Sequence, residues 1–197
     1  MLAELARGPL QTIYGEWEHI LYWDGTQQLI AMVYGAVPQR EAVPCRVHSS
    51  CITAHVFLST ECDCREQLDL AMRYIRDTGH GVVVWLDHEG RGNGMMAHIA
   101  SQSLKRSGLS QSKAYEELSY PRDARRYETA AEVLRALSVK SIRVLTNNPL
   151  KVEALRAAGL PIVVGDERVM IEPTNDLLRK QYQDKRDDDN HFFGEDI

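Results

Sequence analysis

The chain has 197 residues, of which 44% are hydrophobic and 26% charged, and its formal net charge is −5. This length suits one good-sized core, and the composition is that of an ordinary globular protein. The acidic balance argues against general binding to nucleic acid, which requires a basic surface. No apolar run has the length of a membrane span, and the N-terminus has an acid where a signal peptide has a basic start. We therefore expect a cytoplasmic protein with no membrane or nucleic-acid partner.

The first third of the chain is predicted to consist mainly of strands. Thr12 to Tyr22 and Gln28 to Tyr34 are rich in β-branched and aromatic residues, and Trp23-Asp-Gly-Thr between them predicts a hairpin turn. Val43 to His48 is a third short strand. Two antiparallel strands and a third strand that leads into a cysteine-rich stretch are the expected result.

Helices and strands alternate after Cys64. Apolar residues at three- and four-residue spacing predict a helix that ends near Gly79. Gly81 to Leu86 is a continuous apolar run that suits a buried strand. The glycine-rich loop Asp87-His-Glu-Gly-Arg-Gly-Asn-Gly94 follows, and then a helix from Met95 to Lys105. A strand, a glycine-rich loop and a helix in that order can bind a phosphate on backbone N–H groups, although a plain tight turn has the same pattern.

The remaining elements continue this alternation. Leu109 to Ser119 is predicted to be irregular, and Glu128 to Leu137 is predicted to be a helix. Ile142 to Leu145 reads as a strand, Leu150 to Ala158 as a helix that ends at a glycine, and residues 162–164 as a last strand. The expected fold is α/β (α+β), a single domain with a β-rich N-terminal portion packed on an α/β layer.

The expected domain covers residues 1–180. From Gln181 onward the sequence Asp184-Lys-Arg-Asp-Asp-Asp-Asn190 is strongly charged. Such a composition is typical of a solvated end. We therefore expect residues 181–197 to be a mobile acidic tail.

Three cysteines, Cys51, Cys62 and Cys64, lie within fourteen positions of one another. Three thiolates leave a tetrahedral zinc ion one ligand short, and an open fourth position is typical of a catalytic zinc site. Cys62 and Cys64 are too close in sequence for an ordinary disulfide but can bind one ion when the backbone turns between them. The pattern therefore favours a catalytic metal.

Two other interpretations stay open at this point. A structural zinc site needs a fourth protein ligand, for which Cys45, His48 and His55 are the local candidates. The cysteines can also be inert buried or redox residues, although dispersed positions would suit those roles better.

Four stretches stand together in a specific order. They are Arg46-Val-His-Ser with Cys51, Cys62-Asp-Cys64 and Gln67; Glu89-Gly-Arg-Gly-Asn-Gly94; Asp123-Ala-Arg125; and Leu145-Thr-Asn-Asn-Pro-Leu-Lys151. Together they resemble the GTP cyclohydrolase II family, which opens riboflavin synthesis. The stretch Ile171-Glu-Pro-Thr-Asn175 is similar to the end of that family's sequences.

The resemblance implies a set of roles for particular residues. It implies one zinc ion on Cys51, Cys62 and Cys64, and Mg²⁺ on the substrate's triphosphate. The residues implied to bind the nucleotide are Arg46, Val47, His48, Ser49, Ser50, Gln67, Glu89, Gly90, Arg91, Gln111, Thr146 and Lys151. The implied substrate is a purine nucleoside triphosphate, GTP, and the implied assembly is a homodimer.

The implied catalytic pair is Asp123 as proton acceptor and Arg125 as the group that attacks the α-phosphate. A guanidinium is normally a poor nucleophile because it stays protonated. Electrostatic stabilisation of the phosphate by Arg125 is the simpler alternative. Arg126 is adjacent, and the register with the family favours Arg125 over it.

The sequence departs from the family at several positions. Gln102 stands where the family has a tyrosine that assists proton transfer during ring opening, and a glutamine has no ionisable proton. Gln111 replaces the usual threonine. Around the cysteines, Ser50 replaces an acid, Ala54-His55 replaces Gly-Asp, and Arg65 replaces glycine.

Three functions follow. The first is hydrolysis of the GTP imidazole ring at C8, with release of formate and pyrophosphate and formation of a diamino-ribosylamino-pyrimidinone phosphate. The second, motivated by Gln102, is a divergent homologue in secondary metabolism that acts on another nucleotide or stops at the ring-opened formamide. The third is a metal- and nucleotide-binding protein without turnover.

Overall fold

The computed structural model describes residues 1–163 and 173–192, which form two compact units. Unit 1 comprises residues 1–48 and 68–87 and the described part of 127–169. Unit 2 comprises residues 49–67 and 88–126 and the described part of 170–197. The fold class is mixed α/β, as predicted, while the proposed domain boundary at residue 180 stays a prediction.

A six-stranded sheet organises the fold, with the strand order β1-β2-β3-β5-β4-β6. The strands are β1 (Ala3–Thr12), β2 (Gly15–Trp23), β3 (Gln28–Tyr34), β4 (Val43–Ser49), β5 (Gly81–Leu86) and β6 (Ile142–Val144). Strands β1, β2, β3 and β5 pair antiparallel, whereas β4 and β6 pair parallel. The carboxyl ends of β4 and β6 therefore lie at the same edge.

Seven α-helices lie in the described part of the chain. They are α1 (Ile52–His55), α2 (Cys64–Thr78), α3 (Gly94–Arg106), α4 (Gln111–Glu117), α5 (Glu128–Ala136), α6 (Pro149–Ala157) and α7 (Asp176–Asp189). Within these described residues, none of the helices is long and apolar enough to cross a membrane.

Alternation along the strands gives unit 1 an apolar cluster on each face of the sheet. Ile20 and Val82 belong to the larger cluster, which includes the apolar face of α5. Trp17 and Val83 point the other way and pack with Ile75 of α2. Burial of an aliphatic side chain of this size stabilises the fold by about 1.5–3 kcal/mol. Packing on both faces therefore stabilises the sheet.

The strand predictions are confirmed for β2, β3, β4 and β5 within a few residues. Strand β1 was not predicted, because this edge strand is almost entirely exposed and carries no alternating apolar pattern. The Ile142 to Leu145 prediction corresponds to β6. Of the predicted strand at 162–164, Ile162 forms an isolated parallel bridge to Ile142, and residue 164 lies outside the described residues.

The prediction that Leu109 to Ser119 is irregular is wrong, because this stretch contains α4. Ser110 caps the helix by accepting a hydrogen bond from the Lys113 backbone N–H at 3.4 Å. A side-chain oxygen at the N-cap satisfies a donor that the first turn leaves unpaired. The helix is short, and its apolar residues are too few to give a visible period.

The expected mobile end is not observed at residues 181–189, which continue α7. The helix starts at an Asn175 cap, whose side chain accepts a hydrogen bond from the Leu178 backbone N–H, and it buries Leu178 and Tyr182. Residues 193–197 of the predicted tail, and residues 171 and 172 of the family-like stretch, lie outside the described residues.

Candidate functional site

The three cysteines predicted to bind a metal lie together in unit 2. Their sulfur atoms are all within 4.8 Å of one another, and Cys51 Sγ is 3.7 Å from Cys62 Sγ. A tetrahedral ion with zinc–sulfur bonds of about 2.3 Å places its sulfur ligands about 3.8 Å apart. The cysteines are free thiols, and their spacing fits one such ion.

The metal-ligand group has three members among the described residues. Cys45, a candidate fourth ligand, belongs to the core of unit 1, where burial raises the pKa of its thiol to about 12. His55 places Nδ1 2.7 Å from the Cys51 carbonyl oxygen. A three-thiolate set with one open position is the arrangement typical of catalytic rather than structural zinc.

The protonation of these thiols also suits a cation. Hydrogen bonds from Cys62 and Cys64 lower the pKa of Cys51, whereas the bond to Cys51 raises the pKa of Cys62 to about 12. Adjacent thiolates repel each other, so the second and third protons leave readily only when a positive ion compensates the charge. The coupled thiols are therefore compatible with a bound cation.

Asp63, which lies between Cys62 and Cys64, connects their loop to α7 through hydrogen bonds. Its carboxylate is 1% exposed and accepts hydrogen bonds from Tyr182 Oη at 2.7 Å and Lys185 Nζ at 3.0 Å. Gln67 Nε2 also donates to it. Burial alone would raise the pKa of Asp63, but Lys185 and these hydrogen bonds lower it. The charged end of the chain thus has a structural role at the cysteines.

The glycine-rich loop makes a tight turn at Glu89–Gly92, in which Gly90 and Arg91 both have φ near +60°. A Cβ on Gly92 would lie 2.9 Å from the Ala124 carbonyl carbon, so only glycine allows this approach. The Ala124 backbone N–H donates to the Arg91 carbonyl oxygen at 2.9 Å. These contacts bring the loop next to the segment that holds the predicted catalytic pair.

Glu89 connects the same loop to the cysteine segment. Its side chain is buried, and Oε2 accepts a hydrogen bond from the Ile52 backbone N–H at 2.7 Å. A carboxylate that accepts from a backbone N–H makes a charge-assisted bond. Unit 2 therefore brings together three predicted groups: the cysteines, the glycine-rich loop and the catalytic pair.

Asp123 and Arg125 form an ion pair. Arg125 Nε donates to Asp123 Oδ1 at 2.8 Å, Nη2 donates to Oδ2, and the Arg125 backbone N–H also donates to Oδ1. Burial opposes ionisation of Asp123, but the bonds from Arg125 outweigh it and lower the carboxyl pKa. Arg126 is exposed, and Arg125 is the arginine that pairs with Asp123; its role towards a phosphate stays a prediction.

Arg91 is bound to the C-terminal end of α7. Its guanidinium donates to Asp189 Oδ2 at 2.7 Å and to Ser112 Oγ at 2.9 Å, and Ser112 in turn donates to Asp189. The Arg91 and Asp189 side chains are only 14% and 13% exposed. An acidic side chain therefore stands where the sequence predicts a nucleotide to be bound.

The two glutamines that replace family residues bond to α3. Gln111 Nε2 donates to Ser101 Oγ at 2.8 Å. Gln102 Nε2 lies 3.1 Å from His98 Nε2, one helical turn earlier. Of the other predicted contacts in unit 2, Ser50 is buried, and Ser49 Oγ is buried with no hydrogen-bond partner within residues 1–163 and 173–192.

The remaining predicted nucleotide-binding residues lie in unit 1. Arg46 Nη1 donates to the Leu145 carbonyl oxygen, and Lys151 Nζ donates to the Val47 carbonyl oxygen, both at 2.8 Å. Arg46 and Val47 lie on β4, Leu145 follows β6, and Lys151 lies on α6. The carboxyl ends of neighbouring parallel strands are a common position for ligand-binding residues.

His48 and Thr146 complete this group. The His48 ring stacks on Trp85 with centroids 5.3 Å apart, and Arg46 Nε donates to His48 Nδ1 at 3.3 Å. Thr146 Oγ1 accepts a hydrogen bond from the Asn148 backbone N–H, and Asn148 caps α6. Both side chains thus help to set the conformation of the segments that carry Arg46 and Lys151.

Sequence reasoning missed several residues that the structure brings to these groups. His98, Asp63, Tyr182, Lys185 and Asp189 all contact a predicted site residue or its neighbour. His98 had a detectable signal, since it precedes Gln102 by four positions on a predicted helix. The contacts of α7 had none, because they join residues more than sixty positions apart.

Comparison with known proteins gives a consistent result. The family model described as GTP cyclohydrolase II matches residues 4–168. The riboflavin biosynthesis protein RibBA of Chlorobium phaeovibrioides is 40% identical over 187 residues, which are 93% of this chain and 45% of that protein. The GTP cyclohydrolase-2 of Archaeoglobus fulgidus is 40% identical, over 81% of this chain and 42% of that protein.

The chain spans less than half the length of these relatives. A structural comparison finds a two-domain 3,4-dihydroxy-2-butanone 4-phosphate synthase, RibBX from A. baumannii, with a TM-score of 0.45 and 20% identity over 83% of this chain and 40% of that one. At that score the likeness supports no conclusion. The family match covers most of the chain and includes the cysteines, the glycine-rich loop and the Asp123–Arg125 segment, so the chain belongs to the GTP cyclohydrolase II family.

Proposed function

We propose that this chain hydrolyses the imidazole ring of GTP at C8, with release of formate and pyrophosphate. The product would be the diamino-ribosylamino-pyrimidinone phosphate that enters riboflavin synthesis. The observation that carries the proposal is the group of three sulfur atoms within 4.8 Å, in a chain of the GTP cyclohydrolase II family.

Cys51, Cys62 and Cys64 are the residues that would hold zinc. Bound zinc lowers the pKa of a water ligand to about 7 and so supplies hydroxide at neutral pH. An aromatic carbon such as purine C8 is a poor electrophile and needs a nucleophile of this strength. Asp63, with its bonds to Tyr182 and Lys185, would keep the cysteine loop in the conformation that binds the ion.

The phosphates would be bound by cationic side chains, with Mg²⁺ on the triphosphate. Arg46 and Lys151 are buried cations fixed by carbonyl oxygens. Arg125 is held by Asp123, whose lowered pKa keeps the carboxylate ionised at neutral pH. An ionised carboxylate of lowered pKa is a weak base, which favours electrostatic stabilisation of the phosphate by Arg125 over nucleophilic attack.

A homodimer is part of the proposal. Val56, Phe57 and Leu58 are 64%, 72% and 59% exposed, and Met96 and Ile99 of α3 are also exposed. Apolar side chains of this size commonly mark an interface when they lie close together. Light scattering after gel filtration would report one mass of about 45 kDa for a dimer, twice the 22.3 kDa of the chain.

A cytoplasmic location stays a prediction.

The second candidate is an enzyme that stops at the ring-opened formamide or uses another nucleotide. It is favoured by Gln102, which has no ionisable proton and is bonded to His98. Product analysis separates this candidate from complete conversion.

The test is incubation of the zinc-loaded protein with GTP and Mg²⁺ while formate, pyrophosphate and the purine absorbance are followed together. A parallel change in all three supports complete conversion. Loss of the purine absorbance without formate supports the second candidate. If GTP binds and nothing is released, the chain is a binding protein, and Cys62→Ser provides the metal-deficient control.

A further inference from the structure

The Gln102 side chain has one bonded and one unbonded end. Its Nε2 lies 3.1 Å from His98 Nε2, whereas its Oε1 is buried with no hydrogen-bond partner in the described part of the chain. If the amide is rotated by 180°, the two ends exchange roles, and one end still lacks a partner. The amide therefore fixes the imidazole of His98 with one end, while its other end is buried without a partner in the described part of the chain.

His98 lies against the glycine-rich loop on one side. A Cβ on Gly90 would be 3.2 Å from the His98 Cβ, so the backbone of a predicted nucleotide-binding residue packs directly on this side chain. On the other side, His98 Nε2 is 3.5 Å from Thr53 Oγ1, which is 3.3 Å from Cys51 Sγ. The imidazole thus lies between the loop and the cysteine group of unit 2.

Ring opening requires a group that both accepts and donates a proton. One water adds its oxygen to C8, its two protons end on the two ring nitrogens, and the bond from C8 to one of these nitrogens breaks. A group that takes a proton from the water and returns it to the departing nitrogen lowers the barrier. Glutamine cannot do this, and imidazole can.

Tyr115 is the other proton-bearing side chain at the loop. Its hydroxyl would be 3.2 Å from a Cβ on Gly90. The whole side chain is buried, however, and burial raises the pKa of the phenol to about 12. His98 is only half-buried and is bonded to Gln102, so it is the better placed of the two.

We propose that His98 is the proton-transfer group for ring opening in this chain, and that Gln102 positions its imidazole. The inference rests on the proposed function. It explains how a chain that lacks the family tyrosine at residue 102 retains a proton carrier one helical turn away.

The test is a set of variants, His98→Asn, Gln102→Tyr and the double variant, assayed for pyrophosphate release and for loss of the purine absorbance. His98→Asn is expected to slow ring opening by about 100-fold or more. The KM for GTP and the rate of pyrophosphate release should stay within about threefold, since the phosphate-binding residues are unchanged. Added imidazole, and Gln102→Tyr in the double variant, should each restore ring opening at least in part.

Tyr115→Phe is the matched control, because it removes a proton donor beside the same loop, and it should leave ring opening unchanged. The proposal is overturned if His98→Asn opens the ring at the normal rate or if Tyr115→Phe is the variant that loses ring opening. It is also overturned if ring opening and pyrophosphate release fall equally in His98→Asn. In those cases wild-type protein still releases pyrophosphate, and the proposed function stands. Wild-type protein that neither releases pyrophosphate nor opens the ring would refute the proposed function and this inference with it.

Discussion

The cations predicted to bind phosphate are held differently in the two units. In unit 1, Arg46 and Lys151 are 4% and 5% exposed, and they donate to the carbonyl oxygens of Leu145 and Val47. A carbonyl oxygen orients a cation but does not cancel its charge. These two bonds therefore hold each side chain in a fixed geometry.

In unit 2, the corresponding arginines are paired with acids. Arg91 binds Asp189, and Arg125 binds Asp123. A carboxylate cancels the charge of the arginine, so a phosphate has to compete with it. We therefore expect the acids to restrain the arginines of unit 2, so that a phosphate would bind there only by displacing them.

Lys151→Met is expected to have the largest effect. Methionine keeps most of the apolar stem but removes the ammonium group that the triphosphate would contact. Loss of a buried charge pair costs about 2–5 kcal/mol, so kcat/KM for pyrophosphate release should fall about 100-fold.

The control for this variant is Lys140→Met, since Lys140 is an exposed lysine of the same unit and its loss should change nothing. Thermal unfolding of both variants checks that the fold is intact. Normal pyrophosphate release by a folded Lys151→Met protein would contradict a role for Lys151 in phosphate binding.

Local signals were enough to predict most of the fold. The glycine stop at Gly79, the apolar run Gly81–Leu86 and the hairpin between β2 and β3 depend on neighbours in sequence, and each is found as predicted. The edge strand β1 and the short helix α4 were missed, because neither has a periodic apolar face. β1 is stabilised by pairing with the neighbouring strand β2, and α4 by packing against α3 and α7.

The cysteine group could also be predicted from sequence, since its three members are close together and their chemistry is distinctive. The role of α7 could not be predicted from sequence. Its sequence from Gln181 to Asp189 is almost entirely polar, and only Tyr182 is buried there. What orders it is a set of charged contacts, such as Lys185 with Asp63, between residues far apart in the chain. Composition alone does not distinguish such a helix from a solvated tail.

Asp123→Asn is expected to have the next largest effect, measured as stability. The carboxyl pKa is lower in the folded protein than the ordinary value of about 3.9, because Arg125 donates to the carboxylate. The pair therefore stabilises the fold above that pH, and the contribution is lost as the pH falls through the lowered folded pKa.

Urea unfolding at neutral pH should show a loss of about 2 kcal/mol for Asp123→Asn relative to wild type, in the range expected for hydrogen bonds to a charged group. The difference should shrink in acid. Asp187→Asn, at an exposed acid, is the control and should show little difference at either pH. A difference that is independent of pH would mean that the ion pair is not its source.

Asp189→Asn is expected to have the smallest effect and the opposite sign. The variant removes the charge that competes with phosphate for Arg91, while Ser112 still contacts the guanidinium. A partly exposed pair of this kind contributes about 1 kcal/mol, so affinity for GTP should rise about fivefold. Calorimetric titration of wild type, Asp189→Asn and the control Asp187→Asn with GTP and with pyrophosphate measures the change. Weaker binding by Asp189→Asn would show that Asp189 instead holds Arg91 in its binding geometry, and the arginines of unit 2 would then be positioned by their acids rather than restrained by them.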